Sequence, residues 1–458
     1  MNKLNLKPIR SEKNITIKLK EEKIPDALIG KFYLRNGGNP YIISENNHIF
    51  DGDGMIHVIE FREKELQYHN RWIETYRYNL ERKNNKEMFV RLGNLTSMEI
   101  FTKWVKRLFS FNDITDTINN KGDGTANTNI VYHAGKLLAL NEMDKPYLLE
   151  IKDNKLVTIK RYDFEGRLSN NFNAHPKIDP ETGEMVGLGY DILKKQCYIN
   201  FINKMGILEK TIDIKLSGSN IIHDVGITKN NIIILDLPLE FSLKNVLLSQ
   251  FPINVNKSNI SKIGILDKKT YFLKWYKLKE HEIIFHIANC WERKNGKYII
   301  IYAFCYDIEN LNIKELHTQR PKLKRFVINT ETKQIKKTIM SEYYGELPII
   351  EDKSVGEKCE YIYYSKISDE RFDGIIRHNV ETGEEILIKF PNNMSGGESA
   401  IYENYIINLL YSVEENKSKL AIYDKNNLTL INLIDLKCRI PFGFHGRIID
   451  LKNIKINN

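Results

Sequence analysis

The sequence predicts an all-β fold, and three observations carry that reading. Short runs rich in Ile, Tyr, Val and Phe recur along the 458 residues, each bounded by Asn, Asp, Gly or Lys, as strands between turns are. Hydrophobic residues make up 42% of the chain and charged residues 28%, which allows a large core and argues against disorder. Four histidines, His175, His223, His286 and His445, lie far apart, each in a short motif of small, polar and turn-forming residues. They can meet only where a fold returns the chain repeatedly to one centre, as a closed ring of sheets does.

The strand signals come in order along the chain. Leu-Leu-Ala-Leu at 137–140, Ile-Ile-Ile-Leu-Asp-Leu at 232–237 and Tyr-Ile-Tyr-Tyr at 361–364 are typical. The run Tyr-Ile-Ile-Ile-Tyr-Ala-Phe-Cys-Tyr at 298–306 is too short to span a bilayer and reads as a buried strand. No blade-repeat signature of the Trp-Asp kind is present, so periodicity alone does not give a propeller. No Pro- or Ser-rich linker divides the chain. It reads as one domain over 1–458, with 1–23 as an N-terminal extension.

One segment departs from the strand pattern. In 99–111, apolar pairs fall at 100/101, 104/105 and 108/109, which is helical spacing, with Lys103, Lys106 and Arg107 on the other side. Packing against the fold is one reading. The other is an interfacial helix, with Ile100, Phe101, Trp104, Val105, Leu108 and Phe109 in lipid and the cations at the headgroups. The stretch 241–251 could extend that apolar patch.

The formal net charge of +9 is spread over the surface rather than gathered in basic blocks, and no nucleic-acid-binding motif accompanies it. Five cysteines, odd in number and without a Cys-x-x-Cys, argue against a disulfide framework or a structural zinc site. The first twenty residues lack the apolar stretch of a signal peptide. A cytoplasmic protein, free or peripheral to a membrane, is the expectation.

The histidine motifs are Asn-Ala-His-Pro-Lys at 173–177, Ile-Ile-His-Asp-Val at 221–225, Phe-His-Ile-Ala-Asn at 285–289 and Phe-Gly-Phe-His-Gly at 442–446. Imidazole suits Fe, Zn, Cu and Ni, and ligands that are all neutral leave the full metal charge in place. The intervals are 48 residues (175 to 223), 63 (223 to 286) and 159 (286 to 445). Propeller blades run about 40–50 residues, longer with insertions, which suits histidines on separate inner strands.

Those motifs resemble the carotenoid cleavage oxygenase family. The resemblance also rests on Gly-Lys-Phe-Tyr-Leu-Arg-Asn-Gly-Gly-Asn-Pro at 30–40, Phe-Asp-Gly-Asp-Gly-Met-Ile-His at 50–57 and Ala-Asn-Thr-Asn at 126–129. It runs in family order from about Ile24 to about Arg447. It implies a seven-bladed β-propeller, with loops and short helices forming a dome over one face. It also implies Fe(II) held by His175, His223, His286 and His445, with O₂ and an apolar polyene as substrates. The activity implied is cleavage of a C=C bond of a carotenoid or apocarotenoid. Glu142, Glu346 and Glu398 match family glutamates that would receive the second imidazole N–H, a contact that orients a ligating ring. After Glu398 the sequence departs from the family pattern. His57 and His133 read as structural, and the Asp-Gly-Asp-Gly stretch as a turn.

Relatives that cleave stilbenes typically carry a lysine before the glutamate equivalent to Glu142 and a tyrosine about thirty residues upstream, which bind the phenol. Here Asn141 takes the lysine's place, and no tyrosine occurs in 99–121. A site without those donors should not select a phenol. A dioxygenase acting on a stilbene or another phenylpropanoid is therefore the second reading; an iron-dependent isomerase-hydrolase of retinyl esters, which the resemblance also allows, and a non-catalytic propeller scaffold are the others. Gly38 replaces a common proline, which should loosen a turn, and Val225 replaces a common aromatic, which could reshape the cavity near iron.

Overall fold

The structure is a computed structural model that describes residues 5–43, 48–89, 91–92, 122–152, 155–248, 250–309, 311–369 and 371–450. The helical stretch at 99–111 lies outside these residues.

Among the described residues most of the strands form antiparallel four-stranded meanders, in which successive strands usually pair with one another. The first sheet contains Lys31–Gly38, Gly54–Phe61 and Glu65–Trp72, flanked by Lys13–Lys18 on one edge and the C-terminal strand Gly446–Asp450 on the other. The next three begin at Asn129–His133, Lys177–Ile178 and Gly226–Ile227, and the last at Ala400–Tyr402. Between them lies a seven-stranded sheet that is two meanders sharing the 15-residue strand Ile335–Ile349. Counted this way, the described residues make seven four-stranded meanders, plus the small hairpin of Leu239–Phe241 and Ile253–Val255.

The chain separates into two compact units, 170–388 and a discontinuous one made of 1–169 and 389–458. The middle strands of the meanders, such as Gln196–Ile202, Asn231–Asp236 and Tyr298–Tyr306, are buried on both faces, while outer strands such as Leu208–Lys215 and Leu430–Asp435 expose one. In Asn231–Asp236, Ile232 and Ile234 pack toward the preceding sheet, with Leu188 and Ile199. Ile233 and Leu235 pack toward the following one, with Ile299 and Ile301. A strand covered on both faces reads as a continuous apolar run rather than an alternating one. The buried strand expected at 298–306 behaves likewise: Ile299, Ile301 and Ala303 face one cluster, and Ile300, Tyr302 and Phe304 the next. Cutting one such residue to alanine would cost about 2–5 kcal/mol.

In the discontinuous unit the C-terminal strand completes the first sheet, with Leu34 opposite Arg447 and Arg35 opposite Gly446. Lys31 and Asp450 form an ion pair across the same junction. Residues 13–18, within the stretch set apart as an extension, pair with Glu65–Trp72 as its outer strand. Gly38 ends a strand rather than forming a turn. Its backbone lies so close to Gly52 that a β-carbon on Gly52 would sit 2.6 Å from the Gly38 carbonyl carbon.

Candidate metal centre

Each of the four histidines lies in or beside the edge strand of its meander. His175 precedes Lys177–Ile178, His223 precedes Gly226–Ile227, His286 lies within Ile283–Arg293, and His445 immediately precedes Gly446–Asp450. An edge strand leaves one side unpaired, so side chains and loops near its start are open to ligands.

Three of them converge within the unit 170–388. The imidazoles of His175 and His223 have centroids 4.3 Å apart, His175 and His286 5.1 Å, and His223 and His286 4.8 Å. One nitrogen from each can be chosen so that all lie within 4.8 Å of one another. The Nε2 atoms of His223 and His286 are 3.1 Å apart. Two imidazole nitrogens bound at about 2.0–2.1 Å to one ion, at right angles, would stand about 3 Å apart. The residues therefore fit a metal ion.

Glu346 orients the third ring. The Nδ1 of His286 lies 2.5 Å from Glu346 Oε2, so the carboxylate holds the proton on Nδ1 and turns the Nε2 lone pair toward the other imidazoles. The other carboxylate oxygen, Oε1, accepts a hydrogen bond from the Tyr306 hydroxyl at 3.2 Å. Burial, and next the Glu346 charge, push the Tyr306 phenol well above its ordinary range, so it remains a neutral donor. The backbone N–H of Leu347 also donates to Glu346, at 2.5 Å. Leu347 takes φ 58°, a left-handed conformation that costs a branched residue energy, and it does so where the shared strand shifts register beside Glu346.

The backbones around the histidines are tied by two further side chains. Asn173 donates to the His223 carbonyl at 2.9 Å and accepts from the His175 N–H at 3.2 Å. Asp224 is 1% exposed and accepts from the Val225 N–H at 2.7 Å and the Ile287 N–H at 2.8 Å. Tyr306, Asn173 and Asp224 were not picked out from the sequence. For the last two the signal was present, since both stand inside the quoted histidine motifs.

The remaining expected residues belong to the other unit. There His445 Nδ1 lies 2.8 Å from Glu398 Oε2, the same ring–carboxylate contact as in His286–Glu346. Its main chain is held by Asn36 and Thr128, through bonds of 3.0 and 3.2 Å. Glu142 is half-buried just beyond Lys136–Leu140. Asn141 donates its amide to Thr125 Oγ1 at 2.9 Å and Asn127 Oδ1 at 3.3 Å. His57 is buried and bonded to the Tyr68 hydroxyl at 3.0 Å, the structural role read from the sequence. The carboxylates of Asp51 and Asp53 accept backbone N–H groups, as turn-forming residues do.

A β-propeller carrying histidines at the edge strands of its sheets is the class of protein this defines. The family model described as retinal pigment epithelial membrane protein (RPE65) matches residues 6–450. A carotenoid 9,10(9',10')-cleavage dioxygenase 1 of Arabidopsis thaliana is 30% identical, with 96% of this chain and 88% of that protein covered. A chloroplastic 9-cis-epoxycarotenoid dioxygenase (NCED6) of the same plant is 27% identical over 94% of this chain and 78% of its own length. Among solved structures, the cobalt-substituted Synechocystis apocarotenoid oxygenase superposes with a TM-score of 0.81 at 22% identity, covering 97% of this chain and 98% of that one. A lignostilbene dioxygenase of Pseudomonas brassicacearum gives 0.83 at 18% identity, covering 97% and 96%. The chain belongs to the RPE65, or carotenoid cleavage oxygenase, family.

Proposed function

We propose that this protein is an Fe(II)-dependent dioxygenase that cleaves a C=C bond of a carotenoid or apocarotenoid to aldehyde or ketone products. The observation that carries the reading is the convergence of His175, His223 and His286, with Glu346 orienting one ring. His445, oriented by Glu398, would be the fourth ligand, and Glu142 a further outer carboxylate. Bound iron supplies oxygen activation beside the scissile bond. The chain's own part is to hold neutral imidazoles in fixed tautomers and to keep carboxylates one step away from the ion, where they offset its charge without occupying it.

Asn141 favours a polyene over a stilbene. Its amide is spent on Thr125 and Asn127, and it brings no cation to meet a phenol. The test is aerobic incubation of iron-loaded protein with carotenoids, apocarotenoids and hydroxylated stilbenes, analysed for carbonyl products. Cleavage of polyenes alone is expected. Cleavage of stilbenes alone would move the substrate class, and no cleavage of either by iron-loaded protein would leave a binding scaffold.

A polyene is nearly insoluble in water, so the proposal includes contact with a membrane face through Ile100, Phe101, Trp104 and Leu108. Among the described residues no helix is long and apolar enough to cross a bilayer. In the second apolar stretch, Leu243–Leu247 is helical, and Leu243 and Leu248 are 45% and 57% exposed. Wild type should sediment with anionic liposomes at low salt, and the triple substitution of Phe101, Trp104 and Leu108 by Ser should not. A wild type that stays in the supernatant removes the membrane contact from the proposal.

A further inference from the structure

We propose that Asp224 sets the mutual spacing of the three clustered histidines, acting as a positioning residue through the strands that carry them. This rests on the metal-centre reading above. Asp224 follows His223 directly. Its Oδ2 accepts from the N–H of Ile287, the residue after His286, at 2.8 Å. Its Oδ1 accepts from the Val225 N–H at 2.7 Å and meets the ammonium of Lys177, two residues after His175, at 2.8 Å. One buried carboxylate thus touches the near neighbours of all three rings.

The sheets themselves do not fix that spacing. The three histidines start three different meanders, which share no ladder with one another. At His286 the ladder is also irregular: the pairing of Ile283–Arg293 with Tyr298–Tyr306 shifts register between Ile284 and Ile287 and again between Ile287 and Asn289. A bulge leaves the local backbone unpaired and bends the strand, so the neighbouring strand cannot set the height of the ring. Asp224 satisfies the N–H of Ile287 at that point. A carboxylate suits the task because it accepts from several donors at once, and bonds to an ionised group are shorter and stronger than neutral ones. Asparagine has the same shape. It cannot accept from both N–H groups while also meeting an ammonium, because its amide nitrogen is itself a donor.

The experiment titrates the purified, metal-free full-length protein with Co(II), reading affinity and the ligand-field absorption bands, with circular dichroism to confirm the fold. Wild type should bind Co(II) with the bands of a defined site. Asp224→Asn should keep the fold, shift the bands and bind about 10–100-fold more weakly, the usual cost of losing an outer contact of a metal ligand. Lys177→Met should move both readouts in the same direction, and Lys177→Arg, which keeps the cation, should restore them. Folded Asp224→Asn with wild-type bands and affinity overturns the clamp while leaving the metal centre standing. If Asp224→Asn does not fold, Lys177→Met decides, and wild-type bands there overturn the proposal. A wild type that takes up no Co(II) removes the proposal together with the reading beneath it.

Discussion

Two histidine–carboxylate pairs in this molecule look alike and are supported differently. His286–Glu346, in the unit 170–388, sits with two more imidazoles on separate strands, and Asn173 and Asp224 tie those strands together. His445–Glu398, in the discontinuous unit, is held by its own carboxylate and by backbone bonds to Asn36 and Thr128. The carboxylate orients a ring, which a single pair can do alone. Holding several rings at one spacing needs bonds between strands, because separate meanders share no hydrogen-bond ladder.

The largest effect expected of a single substitution follows from the crowded centre. His223→Ala removes the nitrogen 3.1 Å from His286 Nε2, and metal analysis of the purified variant should return iron near background with no turnover. Full iron and activity in the His223, His286 and His175 alanine variants together would dissolve the centre. Next comes Glu346→Gln. It keeps an acceptor for His286 but loses the charge, and iron affinity or turnover should fall about 10–100-fold. Wild-type values would reduce this carboxylate to packing.

Glu398→Gln sharpens the comparison. It keeps an acceptor for His445 but loses the charge, so iron affinity or turnover should fall about 10-fold. Iron content should stay closer to wild type than in Glu346→Gln. A larger loss than in Glu346→Gln would reverse the ranking of the two regions.

The smallest effect concerns acid and the first sheet. Burial, followed by the charge of Arg71, holds His69 down to about 4, and burial with Arg35 pushes His57 well below its ordinary value of 6.5. Both are neutral in the fold and take up a proton in the unfolded chain near pH 6.5, so there the unfolded state binds more protons. Their contribution is fully present above about pH 6.5 and is lost as pH falls toward about 4. The melting temperature should drop across that window, and His69→Gln should flatten the drop. A profile unchanged by His69→Gln would place the acid sensitivity elsewhere.

Much of this was legible in the sequence, for identifiable reasons. Runs such as Ile232 to Leu237 marked strands because burial on both faces selects apolar residues at most positions, Asp236 excepted. The seven-fold count came from resemblance, since the meanders share a hydrogen-bonding plan and no side-chain signature. Asp224 and Asn173 were in view but carried no spacing that distinguishes a strand-to-strand tie from a turn residue. Tyr306 was hidden inside an apolar run, and only the fold brings its hydroxyl to Glu346. The pairing of Lys31–Gly38 with Gly446–Asp450 joins the two ends of the chain, which local pattern cannot register.

The most direct test of the central claim is product analysis after incubating iron-loaded protein with an apocarotenoid under isotopically labelled dioxygen. The account predicts two carbonyl fragments from one double bond, with label from dioxygen in the products, and no fragments from metal-free protein or from His223→Ala. Intact substrate with fully loaded iron, or products whose oxygen comes only from water, would contradict it.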